Sequence, residues 1–167
     1  ERLLGTKAMR AVVDGGDLHT MNLQIDLGGH SRDVVYAHAD KHPEHADEIR
    51  RWHDNWIEML TPDIPGSAVI LRAIKAKGIP VYALTNFGDN TLEVAKTHYP
   101  ILQEFDGEVV SGRLKVCKPD AAIYAAVEQM AGVAPERHIY TADTPATVVA
   151  TKARGWTAQQ IAGPQGW

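Results

Sequence analysis

The sequence predicts an α/β fold, a parallel sheet flanked by helices, with a helical segment ahead of it. Three observations carry that expectation. From Pro65 onward, short apolar runs of strand type alternate with helical stripes, the rhythm of parallel strands joined by crossover helices. Residues 1–64 read differently, holding six of the eight histidines and mostly helical patterns. The length of 167 residues, with 44% hydrophobic and 23% charged, suits one domain with a modest insertion and excludes a fibrous or disordered chain.

Taken in order, residues 14–33 are rich in Gly and Asp and carry no assignment. Residues 44–60 place Ile49, Trp52, Trp56 and Met59 at helical spacing, with Pro43 ahead and Pro62 beyond as start and stop. Gly66-Ser67 opens a helix with Val69, Ile70, Ala73 and Ile74 on one face, closed by Gly78. Residues 79–84 form a strand ending in Thr85-Asn86, and a helix follows from Asn90 to His98. Glu108-Val109-Val110 is a short strand. Pro119 suits the first turn of a helix through Met130, with Ile123, Tyr124, Val127 and Met130 as its stripe. His138 to Thr141 reads as a strand, and Pro145 to Arg154 as a helix stopped by Gly155.

Composition removes several classes of function. Seventeen Lys and Arg against twenty-one Asp and Glu give a charge of −4, so the chain has no global attraction for nucleic acid. A single cysteine, Cys117, forms no internal disulfide. No apolar run reaches the roughly 20 residues of a membrane helix. No signal peptide is read at Glu1 to Gly5, so a cytoplasmic protein is expected. The absence of an initial Met points to a fragment or a processed chain.

Ligands of parallel sheets bind at the carboxyl ends of the strands. That rule selects Thr85-Asn86 after one strand and Asp143 after another, with Lys118-Pro119 at a helix N-terminus, where a cation and free N–H groups favour an anion. Each alone is an ordinary cap, turn or solvated boundary. Their order is more informative: a hydroxyl, a lysine 33 residues on, an aspartate a further 25 on.

This constellation resembles the haloacid dehalogenase-like hydrolase superfamily. Val81 to Phe87 resembles its second motif, Phe105 to Gly112 running on to Lys118-Pro119-Asp120 and Ile123-Tyr124 its third, and Tyr140 to Thr147 with Ala153 to Trp156 its fourth. The resemblance covers residues 43–160. It implies a Rossmann-like hydrolase core at 65–167 and a small helical cap at 1–64. It also implies hydrolysis of a small phosphorylated metabolite through an aspartyl-phosphate, formed by attack of a first-motif aspartate. Thr85 and Asn86 would bind the transferring group, Lys118 would neutralise its charge, and Asp143 would hold Mg²⁺.

Two departures stand beside the matches. Ala142 replaces one acid of the expected fourth-motif pair, and Thr147 replaces an asparagine. No first motif is found. Asp26, in Leu23 to Gly29, copies its D-x-G-G pattern, and Asp14 follows an apolar run, but they precede Thr85 by only 59 and 71 residues, closer than the resemblance requires. Leu23-Gln24-Ile25 is also a thin strand for the centre of a parallel sheet. The expectation is that the first strand and its nucleophile are missing from the core. Two rival readings follow. One is a 2-haloacid dehalogenase, which works without metal. The other is a non-catalytic or truncated relative. His38, Asp40, His42 and His45 have a spacing that could bind a transition metal, against the reading of a polar cap surface. Trp52 and Trp56 are expected to be cap core.

Overall fold

A computed structural model describes residues 12–13, 15–60 and 64–161. Its first part is helical. Helix α1 (Leu18–Asp26) occupies the stretch left unassigned from sequence, and its buried residues Leu18, Met21 and Ile25 lie three and four apart, one helical face. Helix α2 (Ser31–Ala39) contributes Val35 and Ala39, and α3 (Ala46–Asp54) contributes Ile49. Together with Val12 these residues form one apolar core, against which Trp52 packs.

The long helix expected over 44–60 is three pieces. A 3₁₀ turn at Pro43–His45 precedes α3, and a second 3₁₀ stretch runs from Trp56 to Leu60. The break falls at Asn55, whose carbonyl accepts from Glu58 N–H and whose side chain bonds the Glu58 carboxylate at 3.2 Å. An Asn that bonds locally competes with helix propagation. Met59 is consequently exposed, not part of the core stripe.

The second part holds α4 (Ser67–Lys75), β1 (Tyr82–Thr85), α5 (Asp89–His98), β2 (Gly107–Val110), the single turn α6 (Ser111–Leu114), α7 (Ala121–Ala131), β3 (Ile139–Ala142), α8 (Pro145–Ala153) and β4 (Thr157–Gln160). The strands pair in parallel, β1 with β2 from Tyr82↔Gly107 to Thr85↔Val110, and β3 with β4 from Ile139↔Thr157 to Ala142↔Gln160. Among the described residues these are two separate two-stranded sheets. Their main core joins Val109, Ile123, Tyr124, Val127 and Trp156, with Leu84, Val116 and Tyr140 packed against it.

Three details depart from the sequence reading. On α4 the buried residue is Leu71, while Val69 is 69% exposed, so the helix is turned from the face expected. Helix α7 begins at Ala121, after a cis Lys118–Pro119 bond, and Asp120 caps it by accepting the Ala122 N–H at 2.8 Å. Lys118-Pro119 therefore precedes the helix instead of opening it, and a side chain already fills part of the expected anion position. Met130 is exposed although Ile123, Tyr124 and Val127 are buried.

The helical part approaches the strand-bearing part closely at the backbone of Gly28 and Gly112. Gly28 has φ +100°, and a Cβ there would lie 2.6 Å from the Gly112 carbonyl oxygen. A Cβ on Gly112 would lie 2.8 Å from both Asp89 N and Phe87 O. The loop after β1 is tied to the same point, with Phe87 N–H donating to Ser111 Oγ at 2.9 Å and Gly112 N–H to Phe87 O at 3.1 Å. Trp56 stands edge-on to Phe87, with centroids 6.0 Å apart, so it bridges the two parts while Trp52 stays in the helical core. No helix among the described residues is long and apolar enough to cross a membrane.

Candidate functional site

Strand β1 is apolar until Thr85, and its parallel pairing to β2 places Thr85 opposite Val110 at the carboxyl end. Asn86 follows and closes a two-bond clamp on the segment before α7. Lys118 N–H donates to Asn86 Oδ1 at 2.8 Å, and Asn86 Nδ2 donates to Lys118 O at 3.2 Å. An amide side chain suits this role because it carries a donor and an acceptor side by side. The clamp aims Lys118 back at the strand, where its Nζ donates to the Leu84 carbonyl at 3.1 Å. Asn86 thus holds Lys118 in place through its backbone.

Burial pushes the Lys118 ammonium below its ordinary pKa, and the nearby charges of Asp143 and then Asp26 work against that shift. Asp143 follows β3 and lies within electrostatic reach of Lys118, while Thr85 is one residue beyond the carbonyl that Lys118 holds. Asp143 also accepts from Thr144 Oγ1 at 3.1 Å and remains exposed. Of the candidates read from sequence, Asn86 and Lys118 are bonded together at the end of β1 next to Thr85, and Asp143, after β3, is within electrostatic reach of Lys118.

Asp26 reaches the same place from the helical side, but it ends a helix and lies on no strand. Its Oδ2 accepts from Asn22 Nδ2 at 3.0 Å, and its backbone carbonyl takes the Cys117 thiol at 3.7 Å. Burial raises its carboxyl from an ordinary 3.8 to about 6, and the Lys118 charge opposes the rise. The helix, with Leu18, Met21 and Ile25 on one face, agrees with the sequence objection that Leu23-Gln24-Ile25 is a poor central strand. Asp14 lies outside the described residues.

Other features read from sequence resolve as structure. His38 is buried and bonds the Gly16 carbonyl at 2.6 Å, with the His42 ring 4.6 Å away, while Asp40 pairs with Arg50 at 2.7 Å. A purely surface reading of the cluster is therefore wrong for His38. Among the described residues no three His, Cys, Asp or Glu side chains are grouped so as to hold a metal ion. Thr147 is buried and donates to Thr144 O at 2.8 Å, closing the first turn of α8.

Sequence reasoning took Tyr124 only as core. It is fully buried, and its hydroxyl has no hydrogen-bond partner among the described residues. Its ring stands edge-on to Trp156.

A family model for haloacid dehalogenase-like hydrolases matches residues 3–153, and the chain belongs to that family. It is 30% identical over 96 residues to a probable phosphoglycolate phosphatase of Pseudomonas putida, across 58% of this chain and 38% of the relative. To (S)-2-haloacid dehalogenase H-109, also of Pseudomonas putida, it is 28% identical over 76 residues, 46% of this chain and 34% of that protein. The chain thus spans little more than a third of the length of these curated relatives. Among solved structures it resembles a family enzyme of Bacteroides thetaiotaomicron in complex with magnesium and inorganic phosphate (TM-score 0.71, 19% identity, 88% of this chain and 77% of that one). It also resembles L-2-haloacid dehalogenase of Xanthobacter autotrophicus with chloropropionic acid covalently bound (TM-score 0.65, 20% identity, 90% and 63%). At these identities the structural likeness shows the shared fold, an α/β hydrolase core of Rossmann-like type.

Proposed function

We propose that this chain carries the phosphoryl-binding part of a hydrolase acting on small phosphorylated metabolites. The observation that carries the reading is Lys118, partly buried, clamped through Asn86 and held at the end of β1 by the Leu84 carbonyl. A cation fixed beside a strand-end hydroxyl suits a tetrahedral anion, with Thr85 donating to one oxygen and Lys118 offsetting the charge. The covalent step needs a carboxylate in line with the phosphorus; of the two acids beside Lys118, Asp26 ends a helix and Asp143 stands where the resemblance implies a metal-holding acid. We place that nucleophile on a further strand between β1 and β3. Its support is that, among the described residues, β1 pairs only with β2 and β3 only with β4, and that Ile139 on β3 is 81% exposed where a sheet interior would cover it.

Among the described residues the end of β3 offers Mg²⁺ a single carboxylate. Asp143 is the one acid next to the end of β3, because Ala142 supplies a methyl group, and no three-ligand cluster exists among the described residues. Mg²⁺ is generally held by one or two carboxylates together with substrate phosphate. The same observation favours a second reading, metal-free hydrolysis of a 2-haloacid, in which the carboxylate of the substrate would take the Thr85–Lys118 position.

The two readings separate in one experiment. Calorimetry with inorganic phosphate and with 2-chloropropionate, each with and without Mg²⁺, should show phosphate binding that Lys118→Met removes. Binding of 2-chloropropionate but not of phosphate would overturn the phosphatase reading.

A further inference from the structure

Asp26 has no role in the phosphoryl-binding reading, yet the fold brings it beside Cys117-Lys118. The end of α1 is held by close backbone contact, since the Gly28 Cα lies where a Cβ would strike the Gly112 carbonyl. The Cys117 thiol bonds the Asp26 carbonyl at 3.7 Å, directly beside Lys118 in the chain. Asn22 occupies one carboxylate oxygen, Oδ2, and no described residue donates to the other, Oδ1. Lys118 lies within electrostatic reach of this carboxylate and of Asp143.

We infer that Asp26 is a specificity-determining residue that faces the non-reacting end of the substrate, favours a hydroxyl or ammonium group there, and rejects a second anion. This rests on the reading of Thr85, Asn86 and Lys118 as the phosphoryl cradle. A carboxylate beside the cradle accepts hydrogen bonds only, so it pairs with hydroxyl or ammonium and repels carboxylate. The curated relatives are named for phosphoglycolate and for 2-haloacids, both small carboxylates. The Asp26 charge directs this chain toward a different substrate class, phosphate esters of neutral or aminated alcohols.

The test is calorimetric binding at pH 7.5 of inorganic phosphate, glycerol phosphate, phosphoethanolamine and phosphoglycolate. The proteins are the full chain and its Asp26→Asn, Asp26→Glu and Lys118→Met variants. A like-charge contact at a partly exposed site corresponds to about tenfold in affinity, so wild type should bind phosphoglycolate about tenfold more weakly than phosphoethanolamine. Asp26→Asn should level that ranking, and Asp26→Glu should keep it. A ranking unchanged in Asp26→Asn, while Lys118→Met loses all four ligands, would overturn the role of Asp26 and leave the cradle standing. If wild type binds none of the four, or Lys118→Met binds them as well as wild type, the cradle itself is wrong and the inference falls with it.

Discussion

Replacing Asp26 with Asn should stabilise the fold at neutral pH. The carboxyl is raised to about 6 because burial disfavours its charge more than Lys118 favours it. The folded protein therefore holds this proton more tightly than the unfolded chain does. Stability from this group is fully present below pH 4, declines as pH rises toward 6, and is lost above that. The interval from 3.8 to about 6 corresponds to about 3 kcal/mol for a group shielded from water, and partial exposure reduces this to about 1–2 kcal/mol. In a chain of this size that is about 3–6 °C in melting temperature. Other acids act in the opposite direction: Glu108 is held low by Lys96 and Arg113 against its burial, and Glu128 by Arg154. Urea denaturation of wild type and Asp26→Asn should therefore be compared as a difference at each pH. The difference should be small at pH 4 and reach about 1–2 kcal/mol in favour of the variant at pH 7.5. A variant less stable than wild type at pH 7.5 would refute the reasoning, because it would mean that attraction to Lys118 outweighs desolvation.

Three further outcomes are expected. Gly112→Ala should lose about 1–3 kcal/mol and loosen the helical part from the strands, since the new Cβ meets backbone atoms that cannot swing aside; tryptophan fluorescence and urea melts would show it, and an unchanged midpoint would count against the close packing. Glu128→Ala removes bonds to Arg154 at 2.6 and 2.9 Å and to Trp156 Nε1 at 2.9 Å. Stranding a buried indole N–H should cost about 1–3 kcal/mol, read from the unfolding midpoint. Ala142→Asp places a second carboxylate beside Asp143, so the melting temperature should fall without Mg²⁺ and recover with it; no response to Mg²⁺ would show that the end of β3 is not a metal position even with two acids.

The sequence made the strand-end residues legible because chemistry and topology agree there. Thr85 and Asp143 each close a short apolar run, and in parallel sheets that is where ligands gather. Ile123, Tyr124 and Val127 were legible for the same kind of reason, a stripe at helical spacing that the fold buries. The misreadings came where a local pattern carried two meanings. Residues 14–33 carry no assignment from sequence because their Gly and Asp content masks the helical spacing of Leu18, Met21 and Ile25. Spacing alone also could not show that Asn55 would break a helix, or that Leu71 would displace Val69 from the buried face of α4. The position of Asp26 beside Lys118 was out of reach, because it depends on the close approach of Gly28 to Gly112, remote in sequence.

The pairing of β1 with β2 and of β3 with β4 also bears on how the chain acquires its structure. Each pair is a strand, crossover helix and strand that are near neighbours in the chain, so the loop entropy of closing it is modest. The helical part closes its own core from Val12, Leu18, Met21, Ile25, Val35, Ala39 and Ile49 without any strand residue. Three local units can therefore collapse in the order in which they leave the ribosome, and folding should be fast for an α/β protein. Among the described residues the outer edges of both sheets stay unpaired, and these edges are the surface most exposed to self-association.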